Sequence, residues 1–407
     1  MPPKAAKEPR LEKTPVTIIT GFLGAGKTTL LNHILQSQDH GMKFAIIENE
    51  FGEVGVDDGV LKMDSKDQIV EVMNGCICCT VRGDLAQILA GSLADRRGTF
   101  DAVIIETTGL ADPAPVAQTF FVDENVAKLY QLDGIITVVD AKHVLEHVKE
   151  EKPEGVENES VEQIAFADRI IVNKTDLVSK EDLLTVESNI KSINATAEII
   201  KTQKSVVDPK RLVNINTFSL DRITEMDPEF LNTEGEHSHD SRVSTCSAVF
   251  EGDINMGRLD RWISALMQTK GPDLFRYKGI LAAKGSDAKY VFQGVHMLYD
   301  EAILDGQEWA PGEPRKNKFV FIGRDLDKDF LVEGFKRCKA EEGKARFGVG
   351  AKIQAMVSTG WEDGTVTHVW DEGWPYRITL DSGANAGRVI RAPEDKDTVV
   401  RPRPPAP

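Results

Sequence analysis

The chain has 407 residues, with 49 basic and 65 acidic side chains and a formal net charge of −16 at pH 7. This acidity excludes a general nucleic-acid-binding protein, which needs a strongly basic surface, and a hydrophobic content of 41% argues against disorder throughout. No apolar run reaches the roughly 18 residues of a membrane-spanning helix, and the first fifteen residues lack the apolar core of a secretory signal. We therefore expect a cytoplasmic protein whose partners are neither nucleic acids nor membranes.

After a flexible tail at 1–14, the first half of the chain alternates short apolar runs with helix-like segments. The runs are β-rich and bounded by turn or charged residues, which is typical of strands buried on both faces of a parallel sheet. They lie at 16–19, 44–47, 102–105, 135–139 and 170–172, with helix-like segments at 28–36, 84–94, 141–149 and 180–193. This alternation predicts an α/β domain with an open parallel sheet over residues 15–232.

The second half has a different pattern. A polar, acidic stretch without periodicity around 225–242 predicts an interdomain linker, placed at 233–243. A small α+β domain follows at 244–338. Its strands are predicted at 243–250, 274–281, 290–299 and 318–323, and its helices around 259–267 and at 326–338.

A third unit is predicted at 347–403, after a charged linker at 339–346 and before a tail at 404–407. Short alternating strands with Gly and Asp turns predict a small all-β barrel, and GTVTHVWDEGWPYRITLDSG resembles SH3-like or Tudor-like barrel repeats. The barrel carries an aromatic cluster that forms either its core or a ligand groove for a protein partner. The cluster consists of Trp361, Trp370, Trp374 and Tyr376.

Residues 21–28 read GFLGAGKT, which matches the phosphate-loop pattern G-x-x-x-x-G-K-[ST] between an apolar strand and a helix-like segment. The glycines let backbone N–H groups face an anion, and the positive end of the helix favours it. Lys27 is predicted to reach the β- and γ-phosphates, and the Thr28 hydroxyl to bind Mg²⁺. The alternative is a glycine-rich turn with an ordinary lysine, which the flanking strand and helix disfavour. The nucleotide-binding residues predicted here are Gly21, Gly24, Ala25, Gly26, Lys27, Thr28 and Thr29.

Residues 173–176 read NKTD, directly after an apolar run. The Asp176 carboxylate can accept both N1–H and N2–H₂ of guanine, a pair that adenine does not offer. Asn173 can contact the N7 and O6 edge, and the Lys174 stem can cover the ring. Alone this four-residue match is weak and more often a surface loop, but its place after a buried strand favours GTP over ATP.

Residues 101–109 read DAVIIETTG, a buried strand that ends in a carboxylate. Glu106 is predicted to hold Mg²⁺ through water, and the Gly109 N–H to sense the γ-phosphate, so that both serve catalysis together with Lys27 and Thr28. Many GTPases place a water-orienting Gln immediately after this glycine, where the chain has Leu110. The base is therefore unidentified and slow turnover is expected, with Arg82 and Glu50 as candidates. Arg82 is alternatively an ordinary surface arginine.

Residues 74–80 read NGCICCT, and the C-x-C-C pattern brings three thiols together. Such a set favours Zn²⁺, with Co²⁺ or Cu⁺ as alternatives. The thiols are otherwise small buried hydrophobes, and a catalytic dithiol is disfavoured because C-x-x-C is the usual redox spacing. The proposed ligands Cys76, Cys78 and Cys79 lie between the phosphate loop and Glu106, so metal and nucleotide occupancy are expected to be coupled. The remaining Cys246 and Cys338 are interpreted as ordinary thiols.

Five segments together, GFLGAGKTTLLNHIL, ENEFGEVGVDD, NGCICCTVRGDL, ETTGLADP and NKTD, resemble the CobW-like family of P-loop GTPases. The resemblance covers 15–232 and more loosely 244–338, and within the family it points to the zinc-regulated GTPase metalloprotein activators. It implies a GTPase that binds Zn²⁺ at the three cysteines and delivers it to a client metalloprotein, with GTP hydrolysis as the switch. It also implies that Glu50 approaches the metal and that five residues lie near the nucleotide: Cys79, Thr80, Val81, Arg82 and Gly83.

Two departures from the family pattern bear on function. Only His237 and His239 remain where family members often carry a long His-rich tract, which argues against metal storage. The barrel at 347–403 is not part of the common pattern. Two alternatives therefore stay open: a cobalt chaperone for cobalamin synthesis or another metalloenzyme, and a metal-sensing, GTP-dependent adaptor that signals through the barrel without transferring metal.

Overall fold

The computed structural model describes residues 13–37, 39–48, 69–74, 85–150, 152, 158–215 and 242–404. These residues divide into two compact units, with the division between Ser244 and Thr245. Across the described ranges, no helix is both long and apolar enough to cross a membrane. The three predicted sheet types are all present, which confirms the predicted fold class.

The first unit is built on a parallel sheet, in which the described residues supply seven strands in the order β3-β2-β4-β1-β5-β6-β7. Nearly all side chains of β1, β4 and β6 are buried, as expected for strands covered on both faces. The strands are β1 (Thr14–Thr20), β2 (Phe44–Glu48), β3 (Ile69–Asn74), β4 (Ala102–Glu106), β5 (Tyr130–Asp140), β6 (Arg169–Asn173) and β7 (Glu198–Lys201).

Helices cover this sheet. The segment predicted as a helix at 84–94 is helical from Leu85 and becomes a π-helix at Ile88–Ser92. The helix predicted at 141–149 is shorter, because the Asp140 carboxylate accepts a hydrogen bond from the Lys142 N–H (2.9 Å) and forms a turn first. The α-helices are α1 (Lys27–Gln36), α2 (Ala114–Val122), α3 (Glu124–Leu129), α4 (Val144–Val148), α5 (Glu159–Phe166) and α6 (Lys180–Ile193).

The second unit contains an antiparallel sheet in the order β11-β10-β9-β12-β8. The single strand predicted at 290–299 is wrong. Residues 296–297 form a turn between two strands, and His296 adopts a left-handed backbone conformation with φ 53°. The elements are β8 (Val243–Glu251), α7 (Met256–Lys270), β9 (Leu274–Ala282), β10 (Ala288–Val295), β11 (Leu298–Glu308), β12 (Lys316–Arg324) and α8 (Lys328–Lys336).

The barrel region of the second unit is an antiparallel sheet in the order β16-β15-β14-β13-β17. Its core is apolar, with Ile353, Tyr376 and Ile378 all fully buried. It is therefore the small all-β unit that the alternating pattern predicts. The strands are β13 (Lys352–Val357), β14 (Gly360–Asp371), β15 (Trp374–Leu380), β16 (Val389–Ala392) and β17 (Val400–Pro402).

The barrel and the α+β region are joined by backbone contacts, which we call the barrel junction. The Met256 N–H donates to the Gly373 carbonyl (3.0 Å), and the Gly373 N–H donates to the Lys284 carbonyl (2.9 Å). A Cβ on Gly373 would lie 2.3 Å from the Met256 side chain, and one on Gly285 would lie 1.9 Å from the Trp370 carbonyl oxygen. Since the two backbones approach this closely, the barrel and the α+β region pack as one compact unit. The predicted domain limits at 338 and 347 stay predictions.

The aromatic cluster of the barrel divides among three roles. Tyr376 is a core residue, and its hydroxyl accepts a hydrogen bond from the Phe347 N–H (3.1 Å). Trp374 packs against the core of the α+β region, and the Lys284 ammonium lies 4.2 Å from the centre of the Trp370 ring. All three aromatic side chains therefore contribute to packing within the second unit. Trp361 is half-buried under the Arg401 guanidinium, 4.0 Å from its ring centre.

Candidate nucleotide-binding site

The loop after β1 has the backbone that its glycines predict. Gly21, Gly24 and Gly26 have φ values of 138°, 72° and 112°, which side chains with a Cβ rarely adopt. A Cβ on Gly21 would lie 2.1 Å from the Val138 carbonyl oxygen, and one on Gly26 would lie 2.5 Å from the Asn173 amide nitrogen. At Gly24, by contrast, a Cβ would meet nothing within 4 Å. The loop is therefore held tightly at both ends and is open in its middle.

The start of α1 is suited to bind an anion. No side chain caps this helix at Gly26, and its first turn has no acidic residue, so its positive end is not neutralised locally. Lys27 is 8% exposed, and its ammonium donates a hydrogen bond to the Phe22 carbonyl (3.3 Å). The lysine therefore reaches back over the loop, where the phosphate oxygens of a nucleotide are expected.

Thr28 and Glu106 meet next to this loop. The Thr28 hydroxyl donates to Glu106 Oε1 at 2.8 Å, although the two residues are 78 positions apart. Strand β4 pairs with β1 so that Glu106 lies beside Ile19, and the carboxylate is only 8% exposed. A hydroxyl and a carboxylate oxygen are the hard donors that Mg²⁺ prefers. The donor set therefore fits the predicted magnesium site, with Thr28 and Glu106 as the residues that would hold the ion.

The segment after β4 is tied to the phosphate loop. The Thr107 hydroxyl donates to the Thr20 hydroxyl (2.9 Å) in a buried contact. Gly109 lies directly against the loop, because a Cβ there would be 2.6 Å from the Leu23 side chain and 2.7 Å from the Leu23 nitrogen. Leu110 is 54% exposed and apolar, so it offers no group that could orient a water molecule.

Asn173 and Asp176 of the NKTD segment differ in burial and in their hydrogen bonds. Asn173 is 2% exposed, and its amide nitrogen donates to the Ala25 carbonyl (2.9 Å) and to the Ser205 hydroxyl (2.9 Å). Both amide hydrogens are thus used in bracing the phosphate loop, which sequence reasoning did not predict. Asp176 is exposed in the turn Thr175–Leu177, and among the described residues no hydrogen bond to its carboxylate is found. Its predicted contact with guanine stays a prediction.

Lys174 is anchored beside this motif. It has a left-handed backbone, φ 59°, and its ammonium lies 2.8 Å from Asp140 Oδ2. The same oxygen lies 3.0 Å from His143 Nδ1. Burial raises the pKa of Asp140, but hydrogen bonds from Lys174, His143 and the Lys142 N–H outweigh it and hold this pKa below its usual value. Asp140 is therefore an anion that fixes the direction of the Lys174 stem.

Known proteins share these features. Residues 15–201 match the CobW/HypB/UreG nucleotide-binding domain, and residues 243–339 match the cobalamin synthesis protein cobW C-terminal domain. The zinc chaperone YjiA of Escherichia coli is 37% identical over 326 residues, which cover 79% of this chain and 97% of that protein. The chain belongs to the CobW family of P-loop GTPases. Its enzymatic activity is accordingly the hydrolysis of GTP.

Two further comparisons agree with this membership in the CobW family. Zinc-regulated GTPase metalloprotein activator 1 of Schizosaccharomyces pombe is 33% identical over 352 residues, covering 78% of this chain and 84% of that protein. The crystal structure of Zn(II)-bound YjiA GTPase from E. coli superposes with a TM-score of 0.62 and 31% identity, over 81% of this chain and all of that one. The barrel lies beyond the residues that the two CobW family models match.

Two buried residues of this CobW-family site were not predicted. Gln163, in α5, donates from its amide nitrogen to the carbonyls of Gly109 and Ala111, both at 3.1 Å. The Ser205 hydroxyl donates to the Gly26 carbonyl (3.1 Å), and its N–H donates to the Asn173 side-chain oxygen (2.9 Å). Ser205 follows the strand β7 within the polar segment TQKS, which was the one local signal. No local pattern distinguishes Gln163.

The predicted zinc ligands lie outside the described residues. The same holds for the predicted nucleotide contacts at 79–83, for Glu50 and for the two linker histidines. Within the part that the structure describes, no group of three or more His, Cys, Asp or Glu could hold a metal ion. Burial raises the pKa of Cys246 to about 11 and that of Cys338 to about 12. These two cysteines therefore stay protonated at neutral pH and are poor metal ligands.

Proposed function

We propose that this cytoplasmic GTPase is a zinc chaperone that binds Zn²⁺ at Cys76, Cys78 and Cys79 and delivers it to a client metalloprotein. The observation that carries the proposal is the pairing of neighbouring strands β3, β2 and β4 in the parallel sheet. Glu48 of β2 pairs with Glu106 of β4 on one side and with Asn74 of β3 on the other. The end of β3 therefore lies two strands away from Glu106, the proposed magnesium ligand. Two strand spacings amount to roughly 10 Å. In the sequence Cys76 follows Asn74 by two positions, which supports a zinc site coupled to the nucleotide site.

The relatives support zinc as the cargo. One is named a zinc chaperone and another a zinc-regulated GTPase metalloprotein activator, and a Zn(II)-bound structure of the first superposes on this chain. Three thiolates are soft ligands that suit zinc. We therefore favour zinc over cobalt, with Co²⁺ as the competing ion to be tested.

The described residues suggest how GTP would be handled. The backbone amides of the phosphate loop and Lys27 bind the phosphates, while Asp176 recognises guanine. Magnesium held by Thr28 and Glu106 would neutralise charge on the β- and γ-phosphate oxygens. The Gly109 N–H meets the γ-phosphate, and Gln163 holds the carbonyls on the other side of that loop. Loss of the γ-phosphate would release one of the restraints on this loop, as in a switch that orders and disorders with nucleotide.

The proposal is tested by measuring zinc affinity in two nucleotide states. The full-length protein is titrated with Zn²⁺ against a chromophoric zinc chelator, in the presence of GDP or a non-hydrolysable GTP analogue. We expect the two affinities to differ by roughly 5- to 150-fold, the usual range of allosteric coupling. Repeating the titration with Co²⁺ distinguishes the cobalt alternative.

Matched cysteine variants provide the controls. Cys78→Ser should remove high-affinity zinc binding, and Cys338→Ala should leave it unchanged because Cys338 is buried and protonated. Equal zinc affinity with both nucleotides, or full binding by Cys78→Ser, would contradict the proposal. A zinc-loaded protein that binds zinc in this manner but fails to activate any metal-free client on addition of GTP would favour the adaptor alternative.

A further inference from the structure

A groove of about 590 Å³ opens on the second unit. Its walls come from α7, from α8 and from the barrel segment between β16 and β17. The volume lies within the range of roughly 300–1,000 Å³ that is typical of specific ligand sites. The nucleotide site and the proposed zinc site both belong to the first unit, so neither accounts for this groove.

The floor of the groove is aromatic. Phe330 is 49% exposed, whereas Phe335 on the same helix is fully buried. Trp262 is held in place, because a Cβ on Gly334 would lie 2.2 Å from the Trp262 ring nitrogen and the ring packs edge-on against Phe321. The groove therefore offers a fixed tryptophan next to an exposed phenylalanine, and aromatic residues of this kind are enriched in protein interfaces.

The rim of the groove carries excess positive charge. Glu394 Oε1 lies 3.2 Å from Arg258, 3.0 Å from Arg261 and 3.3 Å from Lys396. Arg258 also pairs with Glu341, and Glu333 of the groove pairs with Lys336. Among the described residues, Arg261 and Lys396 share Glu394 as their one carboxylate, so the rim keeps a net positive charge. Arg337 is exposed on the same rim, and no carboxylate pairs with it among the described residues. In a chain with a net charge of −16, this local excess favours an acidic ligand.

The barrel completes this site. Pro393 packs on α7, since a Cβ on Gly257 would lie 2.4 Å from the Pro393 Cα, and this contact brings Glu394 and Lys396 to the groove. The match to the cobW C-terminal domain ends at residue 339. The third wall of the groove is therefore formed by residues that the family model does not include.

We propose that this groove binds a short acidic segment of a partner protein. An apolar side chain of the segment packs on Phe330 and Trp262, and its carboxylates pair with Arg261, Arg337 and Lys396. An isolated phosphate would leave the aromatic floor exposed, and a nucleic acid would need a longer basic surface. The inference does not depend on zinc transfer, because it rests only on residues of the second unit.

The experiment selects a ligand from random sequences. A displayed library of random twelve-residue peptides is panned on the full-length protein, with counter-selection on the double variant F330A/R337E. We expect the enriched peptides to combine Asp or Glu with one aromatic or aliphatic residue. Neutral or basic enriched sequences, or no enrichment over the double variant, would overturn the proposal.

A synthetic copy of the most enriched peptide is then measured by fluorescence anisotropy. Arg337→Glu and Phe330→Ala should each weaken binding by at least about tenfold. The matched controls are Arg388→Glu and Met356→Ala, which change an exposed cation and an exposed apolar residue outside the groove, and both should bind as the wild type does. Binding that is equal in Arg337→Glu and Arg388→Glu would also overturn the assignment.

Discussion

The phosphate loop and the barrel junction use glycine in the same way for different purposes. Gly26 and Gly373 both have positive φ and both leave room for a neighbour that a Cβ would strike. Opposite Gly26 lie polar side chains, Asn173 and Ser205. Opposite Gly373 lies the apolar side chain of Met256. A glycine of this kind therefore does not by itself indicate a ligand site, and the chemistry of the facing residues decides its purpose.

The energetic consequences also differ. Around the phosphate loop, buried hydrogen bonds hold a backbone whose middle stays open, so a change at the open side should affect ligand binding more than stability. At the barrel junction two backbones interlock, so a change should affect stability directly. Substitutions that change ligand binding without changing stability, or the reverse, therefore test this difference between the two regions.

The largest effect is expected for Lys27→Ala. The substitution removes the cation that would contact the β- and γ-phosphates, and loss of one preorganised electrostatic contact typically costs at least roughly a hundredfold in turnover. Steady-state GTP hydrolysis by the purified protein is the measurement. The free energy of unfolding without nucleotide is measured on the same variant, so that loss of the phosphate contact is distinguished from loss of the fold. Retained hydrolysis would contradict the phosphate-loop assignment.

Much of the first unit was predictable because its signals are local. The phosphate loop is one contiguous motif, and the predicted apolar runs all correspond to strands. Strands β3 and β7 and helices α2, α3 and α5 were missed, because each is short and lacks strong periodicity. The turn at His296 was missed since no Gly, Pro or Asn marks it.

The contacts that complete the sites were not predictable because they join distant segments. Gln163 bonds a carbonyl 54 positions away, and Ser205 bonds one 179 positions away. Similarly, the groove brings together Arg258 and Glu394, which are 136 positions apart. A single sequence gives no local pattern for such pairs, and only the packing of whole elements defines them.

The next effect concerns the barrel junction. Gly373→Ala forces a Cβ into a left-handed backbone and against Met256, which we expect to cost about 2–4 kcal/mol of unfolding free energy. Gly387→Ala is the matched control in the same barrel, since Gly387 has φ 82° and a Cβ there would meet nothing within 4 Å. It should cost only about 1 kcal/mol. Urea unfolding of both variants measures the difference, and equal costs would show that the junction does not interlock.

A smaller effect is expected for Asp176→Asn, which tests the predicted recognition of guanine. The carboxylate no longer accepts from guanine N1–H and N2–H₂, while the new amide can donate to the C2 carbonyl of xanthine. Preference for GTP over xanthosine triphosphate should fall by roughly tenfold or more. Competition binding with the two nucleotides is the measurement. Stability should be unaffected because Asp176 is exposed, and an unchanged preference would remove this residue from the site.

The smallest effect is expected for Gln163, which is buried and yet contacts the segment around Gly109 that we propose to sense the γ-phosphate. Gln163→Met keeps the volume and removes the donors to the Gly109 and Ala111 carbonyls, at about 1–2 kcal/mol of stability. If the loop senses only the γ-phosphate, turnover and affinity for a GTP analogue should fall severalfold while GDP affinity stays constant. Gln118→Met is the matched control, a buried glutamine whose side-chain oxygen has no hydrogen-bond partner in the described structure. Equal losses of affinity for GDP and the GTP analogue would show that Gln163 contributes only to the stability of the fold. Nucleotide binding and stability could then not be changed separately at this loop.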